Sequence, residues 1–217
     1  MNNMIKLSKT SKLDGIQSWS LNALETCQGS LGKDGNLVPA CQGCYATTGN
    51  YRFPNVKAPR EFNKKDWQRE GWINDMVQAL ENSRYFRWFD SGDMYDIRLA
   101  EKILAVMTAT PWVKHWLPTR MYKFKKYESV INHMQALPNV VVRLSSDSVT
   151  GEIIEGKTTS TIFSDTLPIG SFECKAYQHE GKCNGCRACY DKDVSVIAYK
   201  AHGVKMAKVI KIMSVKG

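Results

Sequence analysis

Residues 85–144 read YFRWFDSGDMYDIRLAEKILAVMTATPWVKHWLPTRMYKFKKYESVINHMQALPNVVVRL, and this stretch decides the fold class. It opens on an aromatic, strand-like run, Tyr85–Phe89, that stops at Asp90-Ser91-Gly92-Asp93. Asp96 is placed to cap a helix carrying Ile97, Ala100, Leu104 and Met107 on one face, which ends before Pro111. Val113–Leu117 then reads as a strand, Tyr127–Leu137 as a helix stopped by Pro138, and Val140–Leu144 as a β-branched strand. Strand, helix, strand, helix, strand predicts parallel strands joined by right-handed crossovers.

On the N-terminal side, residues 5–24 alternate apolar and polar positions around Asp14-Gly15, which predicts a hairpin or a lead-in strand followed by a first barrel strand at Ser18–Leu24. Asn63 to Glu81 reads as one helix, with Trp72, Met76 and Leu80 recurring every fourth residue beside Ile73 and Val77. On the C-terminal side, Thr158–Phe163 and Val194–Tyr199 are the remaining strands. About six strands are too few for a full eight-fold barrel. The expected architecture is therefore α/β: a partial (βα)6 TIM-like barrel over residues 1–165, then a cysteine-rich segment and final strand over 166–217 packed on it, one compact domain in all. Trp67, Trp72, Trp88, Trp112 and Trp116 are expected between barrel and helices. Ligands of such folds bind at the carboxyl ends of the strands, where Cys27–Cys44, Ser91–Asp93, Pro118–Arg120 and Ser145–Asp147 all fall.

All seven cysteines lie in two groups. The first is Cys27, thirteen intervening residues, then Cys41-Gln42-Gly43-Cys44. The second is Cys174, eight residues, then Cys183-Asn184-Gly185-Cys186-Arg187-Ala188-Cys189. Thiolates select iron–sulfur clusters, zinc or cuprous copper, and Gly43 and Gly185 are expected to permit the tight turns that aim paired sulfurs at one centre. The C-x2-C-x2-C run resembles the ligating run of ferredoxins, with Cys174 as the remote fourth ligand of a [4Fe–4S] cluster; zinc and free buried thiols are the alternatives. The first group has three cysteines. It predicts either a cluster with one open iron, suited to binding a substrate or cofactor, or a structural site completed from elsewhere in the chain, including by a cysteine of the second group. Iron–sulfur clusters therefore number one or two. His179, between Cys174 and Cys183, is a further possible ligand.

Cys41-Gln42-Gly43-Cys44-Tyr45 after a strand resembles the C-x3-C-x2-C loop of radical S-adenosylmethionine proteins, and Asp90-Ser91-Gly92-Asp93 resembles their Gly-Gly-Glu segment. More narrowly, Ser18-Trp19-Ser20-Leu21, Thr26-Cys27, Cys41-x-x-Cys44-Tyr45-Ala46, Gly49-Asn50-Tyr51 and Ser91-Gly92-Asp93 together resemble the phage and plasmid gene product 88 family, over roughly residues 8–147. The resemblance implies a viral or mobile-element origin, a barrel of the radical S-adenosylmethionine type, and S-adenosylmethionine held by Ser91, Gly92 and Asp93. Three departures stand out: the thirteen-residue gap after Cys27, the aromatic Tyr45 following Cys44 instead of preceding it, and Ser-Gly-Asp in place of Gly-Gly-Glu.

Other residues have two readings each. Asp93 either holds an amino group or caps the helix that starts near Asp96. Arg120 either grips a carboxylate or phosphate or forms a surface ion pair. Tyr45 either packs on a cluster or orders its loop. No catalytic residue is assigned.

Composition limits the partners. A window of roughly 18 apolar residues is absent, so no membrane span is expected. The N-terminus, MNNMIKLSKTSKLDG, lacks an apolar signal core, so a cytoplasmic location is expected, that of a host cell if the protein is viral. The formal charge of +9 favours nucleic acid or an acidic electron-donor protein. Two functions from different classes follow: a radical-type enzyme on an unknown substrate, or a non-catalytic iron–sulfur redox or structural protein that binds nucleic acid or a host protein. A zinc-stabilised binding module is the third.

Overall fold

The computed structural model describes residues 5–156 and 158–216. Part of the N-terminal stretch that argued against a signal segment, residues 1–4, lies outside the described residues. The chain begins with β1 (Ser8–Lys9), a turn through Asp14-Gly15, and β2 (Gln17–Trp19), which returns antiparallel with Ser8 opposite Ser18. The expected hairpin is present. The first barrel strand is shorter than expected: it ends at Trp19, and the chain turns away over residues 23–26, with Leu24 in a left-handed backbone (φ 66°). A short helix α1 (Pro39–Gln42) follows, then α2 (Pro54–Asp66) and α3 (Trp72–Ala79). The single helix expected over Asn63–Glu81 is thus two. Asp66 accepts from Arg69 Nε at 2.6 Å, and Arg69 also pairs with Asp75, bracing the break at residues 67–71.

Next come β3 (Tyr85–Trp88), α4 (Ile97–Ala109), β4 (Lys114–Thr119), α5 (Glu128–Ala136), β5 (Val140–Ser145) and β6 (Thr159–Phe163). The expected elements are present here within a residue or two, and Asp96 caps α4 by accepting from Arg98 N at 2.9 Å. The chain ends with β7 (Phe172–Cys174), β8 (Val196–Lys200) and α6 (Val204–Lys216); sequence reasoning missed β7 and α6. The eight strands of the described residues form one sheet in the order β1-β2-β3-β4-β5-β6-β8-β7, parallel except for β1. The architecture is mixed α/β with an open, mostly parallel sheet, its edge strands β1 and β7 being far apart in that order.

Side chains alternate between the two faces of a strand. One face presents Trp19, Phe86, Trp88, Leu117, Val140 and Val142, which merge with Met76, Ile103 and Met134 of α3, α4 and α5 into the main core. Trp19, Trp72 and Trp88 pack with ring centroids 5.4–6.4 Å apart, contacts worth roughly 1 kcal/mol each beyond their burial. His115 is wholly buried on this face. Trp88 Nε1 donates to its Nδ1 at 3.2 Å, and its Nε2 meets Thr110 Oγ1 at 2.9 Å.

The opposite face carries Arg87, Trp116 and Arg143, and the cysteine-rich segment covers it. Tyr190 packs its ring on Trp116 at 5.7 Å. Arg143, fully buried, donates to the carbonyls of Ala188, Cys189, Asp191 and Val194 at 2.8–3.2 Å. Two of the five tryptophans therefore depart from expectation: Trp116 packs under the cysteine segment, and Trp112 is half exposed.

Candidate metal-cluster sites

The first site lies at the carboxyl ends of β2–β5. The residues from Cys27 to Cys41 fold back on themselves: Val38 N donates to Ser30 O at 2.9 Å and Gly32 N to Asn36 O at 2.8 Å. A thirteen-residue gap thus closes as a small hairpin, and Cys27 and Cys41 return to one place. Two fastenings hold it. Lys123 Nζ donates to Gly29 O at 3.0 Å and to Leu31 O at 3.2 Å, and Ala40 N donates to Asp147 O at 2.9 Å. Gly29 is required, because a Cβ there would stand 2.6 Å from Arg120 Cβ. Gly43 serves a different purpose from the expected turn. Its φ is an ordinary −92°, and the missing side chain admits Met206 of α6, whose Cε would be 2.7 Å from a Cβ.

Cys27, Cys41 and Cys44 line one cavity of about 170 Å³ together with Ser91, Gly92, Asp93, Arg120 and Tyr45. Every N-terminal residue expected at a site is here. Phe89 and Leu24, two bulky residues held at positive φ (56° and 66°), line it too. Strain of this kind collects at functional sites.

Several side chains are already engaged. Ser91 Oγ accepts from Arg60 Nε and donates to Leu21 O, both at 2.6 Å. Asp93 does not cap the helix. Its carboxylate accepts from Met94 N, Thr119 Oγ1 and Arg120 N at 2.8–2.9 Å, tying the end of β3 to the end of β4. Burial pushes the Asp93 carboxyl up to about 6 against those hydrogen bonds. Gly92 (φ 80°) crosses Leu21 so closely that a Cβ would lie 2.6 Å from Leu21 Cβ. Arg120 pairs with Asp147 at 3.2 Å and donates to Ser146 O at 2.6 Å. Tyr45 orders its loop: its hydroxyl donates to Asp90 O at 2.7 Å.

Sequence reasoning missed the charged hub beneath this cavity. The Asp90 carboxylate accepts from Arg87 Nη1 at 2.9 Å and from the Tyr51 hydroxyl, and it pairs with Arg60 at 3.6 Å. Arg60 stacks over the Tyr51 ring. An aspartate flanked by arginines 3 and 30 positions upstream leaves little trace in a sequence.

The second site lies against the β1–β2 turn. Cys183 N donates to Lys12 O at 2.8 Å, while Gly185 N and Arg187 Nη1 both donate to Asp14 Oδ2 at 2.9–3.0 Å. Gly185 takes the expected left-handed turn (φ 80°). Cys183 and Cys189 pack among Leu13, Trp116 and Tyr190, and Cys186 is exposed. Repulsion from Cys174, Cys186 and Cys189 adds to burial in pushing Cys183 up to about 11. Cys174 therefore lies with the run, at the end of β7. His179 is exposed.

The seven cysteines are free thiols. Burial, and then repulsion from Asp93, pushes Cys27 up to about 12; burial raises Cys41 and Cys44 as well. A cationic centre bound by Cys27, Cys41 and Cys44 would act against that rise, because a metal deprotonates its thiol ligands. Among the described residues no three His, Cys, Asp or Glu side chains converge closely enough for a single metal ion. Zinc needs each sulfur about 2.3 Å from one point, whereas a four-iron cubane takes one thiolate per corner and asks for wider separation. Thiols grouped three and four are a soft donor set of the kind that iron–sulfur clusters and zinc both take. Arg143 lies beside Cys189 as a buried cation bonded to backbone carbonyls.

A family model described as gene product 88 matches residues 2–203. No curated protein and no solved structure matches the chain. Among the described residues no helix is long and apolar enough to cross a membrane.

Proposed function

The chain belongs to the gene product 88 family, and from that premise and the geometry above we propose that it is an iron–sulfur protein with two [4Fe–4S] sites, the first of them a catalytic-type site. Cys27, Cys41 and Cys44 hold the first cluster, and Cys174, Cys183, Cys186 and Cys189 the second. The observation that carries the reading is the single cavity in which all three N-terminal cysteines meet Ser91, Gly92, Asp93 and Arg120. Strands β2–β6 and β8 succeed one another in chain order, an arrangement that supports a partial barrel of the radical S-adenosylmethionine type with this cavity at its mouth. Held by Cys27, Cys41 and Cys44, such a cluster would keep one iron without a protein ligand and would supply the electron for reductive cleavage of S-adenosylmethionine.

The protein's own residues orient and exclude water. Asp93 and Gly92 fix the ends of β3 and β4, so the backbone of 91–93 borders the cavity while the Ser91 side chain stays bonded to Arg60 and Leu21. At about 170 Å³ the cavity suits an inorganic cluster; organic ligands usually need at least about 300 Å³, so S-adenosylmethionine would extend into the open mouth beside Tyr45.

The test is anaerobic reconstitution followed by iron and sulfide analysis. About eight of each per chain are expected, falling to about four in Cys41→Ala. Adding S-adenosylmethionine to the reduced protein should change its electron paramagnetic resonance signal. An unchanged signal with eight irons present selects the non-catalytic redox protein, and a colourless folded protein ends both readings.

A further inference from the structure

A line of side-chain contacts runs between the residues that follow Cys189 and Cys44, from buried Trp116 and Arg87 out to the half-exposed Tyr45. Tyr190 follows Cys189 in the chain, and its ring lies 5.7 Å from that of Trp116. The Arg87 guanidinium stacks on the other side of the path, 4.6 Å from the Trp116 ring centroid. Arg87 Nη2 then donates to the Tyr45 hydroxyl at 3.4 Å, and Tyr45 follows Cys44 in the chain. Arg87 and Trp116 are buried, so the line holds no solvent gap there.

The two ends differ in access. Cys27, Cys41 and Cys44 are buried or half-buried, whereas Cys186 is exposed. A broad cleft opens at Cys186, lined by Lys114, Arg187 and Lys192 against Asp191; Arg187 also pairs with Asp14 at its edge, and the Lys192 ammonium donates to Gln135 O and Leu137 O, so Lys114 is the cation of the rim that pairs with none of these groups. Charge complementarity selects an acidic partner for such a rim, and steers its approach.

We propose that Tyr190, Trp116, Arg87 and Tyr45 form the path for one electron between the two cysteine groups, and that the basic rim around Cys186 docks an acidic one-electron donor protein. The inference rests on the two-cluster reading. One electron leaves the reduced donor, passes the second group and arrives at the first; the donor is oxidised by one electron, and no bond is made or broken in the protein. Packed atoms transmit a tunnelling electron far better than a gap does, so the aromatic and guanidinium contacts set the rate.

The experiment uses full-length protein loaded anaerobically, with cluster bleaching followed in a stopped-flow spectrometer after mixing with either a reduced acidic ferredoxin or titanium(III) citrate. Cys183→Ser/Cys186→Ser should keep about four irons. Its remaining cluster should be reduced by ferredoxin at least tenfold more slowly than in the parent, and by titanium(III) at the parent rate. An unchanged ferredoxin rate overturns the proposal. Should that variant fail to fold, two fully loaded variants decide. Trp116→Leu should slow the second bleaching phase several-fold and leave the first alone; equal phases overturn the path. Lys114→Glu should slow the first phase and flatten its salt dependence; no change overturns the docking surface. Failure of the parent protein to take up iron defeats the cluster reading itself, and is distinct from a loaded protein whose rates ignore all three changes.

Discussion

Gly92 and His115 show how single residues hold the site and its support. Gly92 combines a left-handed backbone with a close crossing of Leu21 and Thr26, where a Cβ would fall 2.6 and 2.7 Å from side-chain atoms. The left-handed penalty and the overpacking add, so Gly92→Ala should destabilise by about 2–4 kcal/mol in urea unfolding. A loss below about 0.5 kcal/mol would mean the crossing is loose. His115 acts through charge. Thr110 Oγ1 donates its hydrogen to Val106 O at 2.7 Å, so it must accept from His115 Nε2, and His115 Nδ1 already accepts from Trp88. Neutral histidine satisfies every partner, and burial pushes its pKa down to about 3 from the ordinary 6.5. The folded state therefore resists a proton that the unfolded state takes. This stability is complete above pH 6.5 and is lost as pH falls toward 3, in total about 4–5 kcal/mol. Asp93, raised by burial to about 6, works in the opposite sense below that pH, so the difference between parent and His115→Gln isolates the histidine. The parent should lose more stability than the variant between pH 6.5 and 4; parallel curves would refute the assignment. Of these residues, the sequence pointed to Gly92 and Asp93 by their place after a strand. Asp93's bonds to Thr119 and Arg120, and Asp90's to Tyr51 and Arg60, were invisible, because those partners come from other elements.

At the scale of elements, the cysteine-rich segment has little core of its own and is held by what the sheet offers it. Arg143 is the principal hold: it looks like a charge inside a valine-rich strand, yet its guanidinium gathers the carbonyls of residues 188–194. Arg143→Met removes a buried cation but leaves those carbonyls without donors, so it should cost about 3–5 kcal/mol and release the segment. Thermal unfolding with limited proteolysis checks this; cleavage within 175–195 at native temperature is the expected sign, and a variant as resistant as the parent would deny the role. The periodic elements between β3 and β5 were legible because their apolar positions repeat and their ends carry Asp96, Pro111 and Pro138. The break between α2 and α3 was not read, although its polar residues 68–70 and Gly71 precede the apolar stripe that begins at Trp72, and Arg69 bridges it to Asp66 and Asp75. Helix α6 did carry a signal, with Met206, Val209, Ile210 and Met213 on one face and lysines interleaved between them.

For the whole molecule, the sheet separates two kinds of packing. Its helix face is a closed apolar core that needs nothing further. Its other face joins Arg87, Trp116, Arg143 and the tyrosines to loops whose own interactions are mostly polar, and both cysteine groups tie sequence-distant segments together: residues 27–44 to the strand ends, and residues 174–189 to the turn at Lys12 and Asp14. If clusters complete these ties, binding free energy is partly local folding free energy. Removing iron from the loaded protein by anaerobic chelation should therefore act unevenly. Amide hydrogen exchange should accelerate at least tenfold over residues 27–44 and 174–190, while α3–α5 and β3–β5 keep their protection. The sign is set by the free thiols, all but Cys186 buried or half-buried and placed to repel one another on ionising, so the metal-free loops gain nothing that offsets the lost ligation. Uniform acceleration would place the clusters' stabilisation in the helix-side core. No acceleration anywhere would mean that the loops are held by Lys123, Asp14 and Arg143 alone and that the cysteines add nothing to the fold.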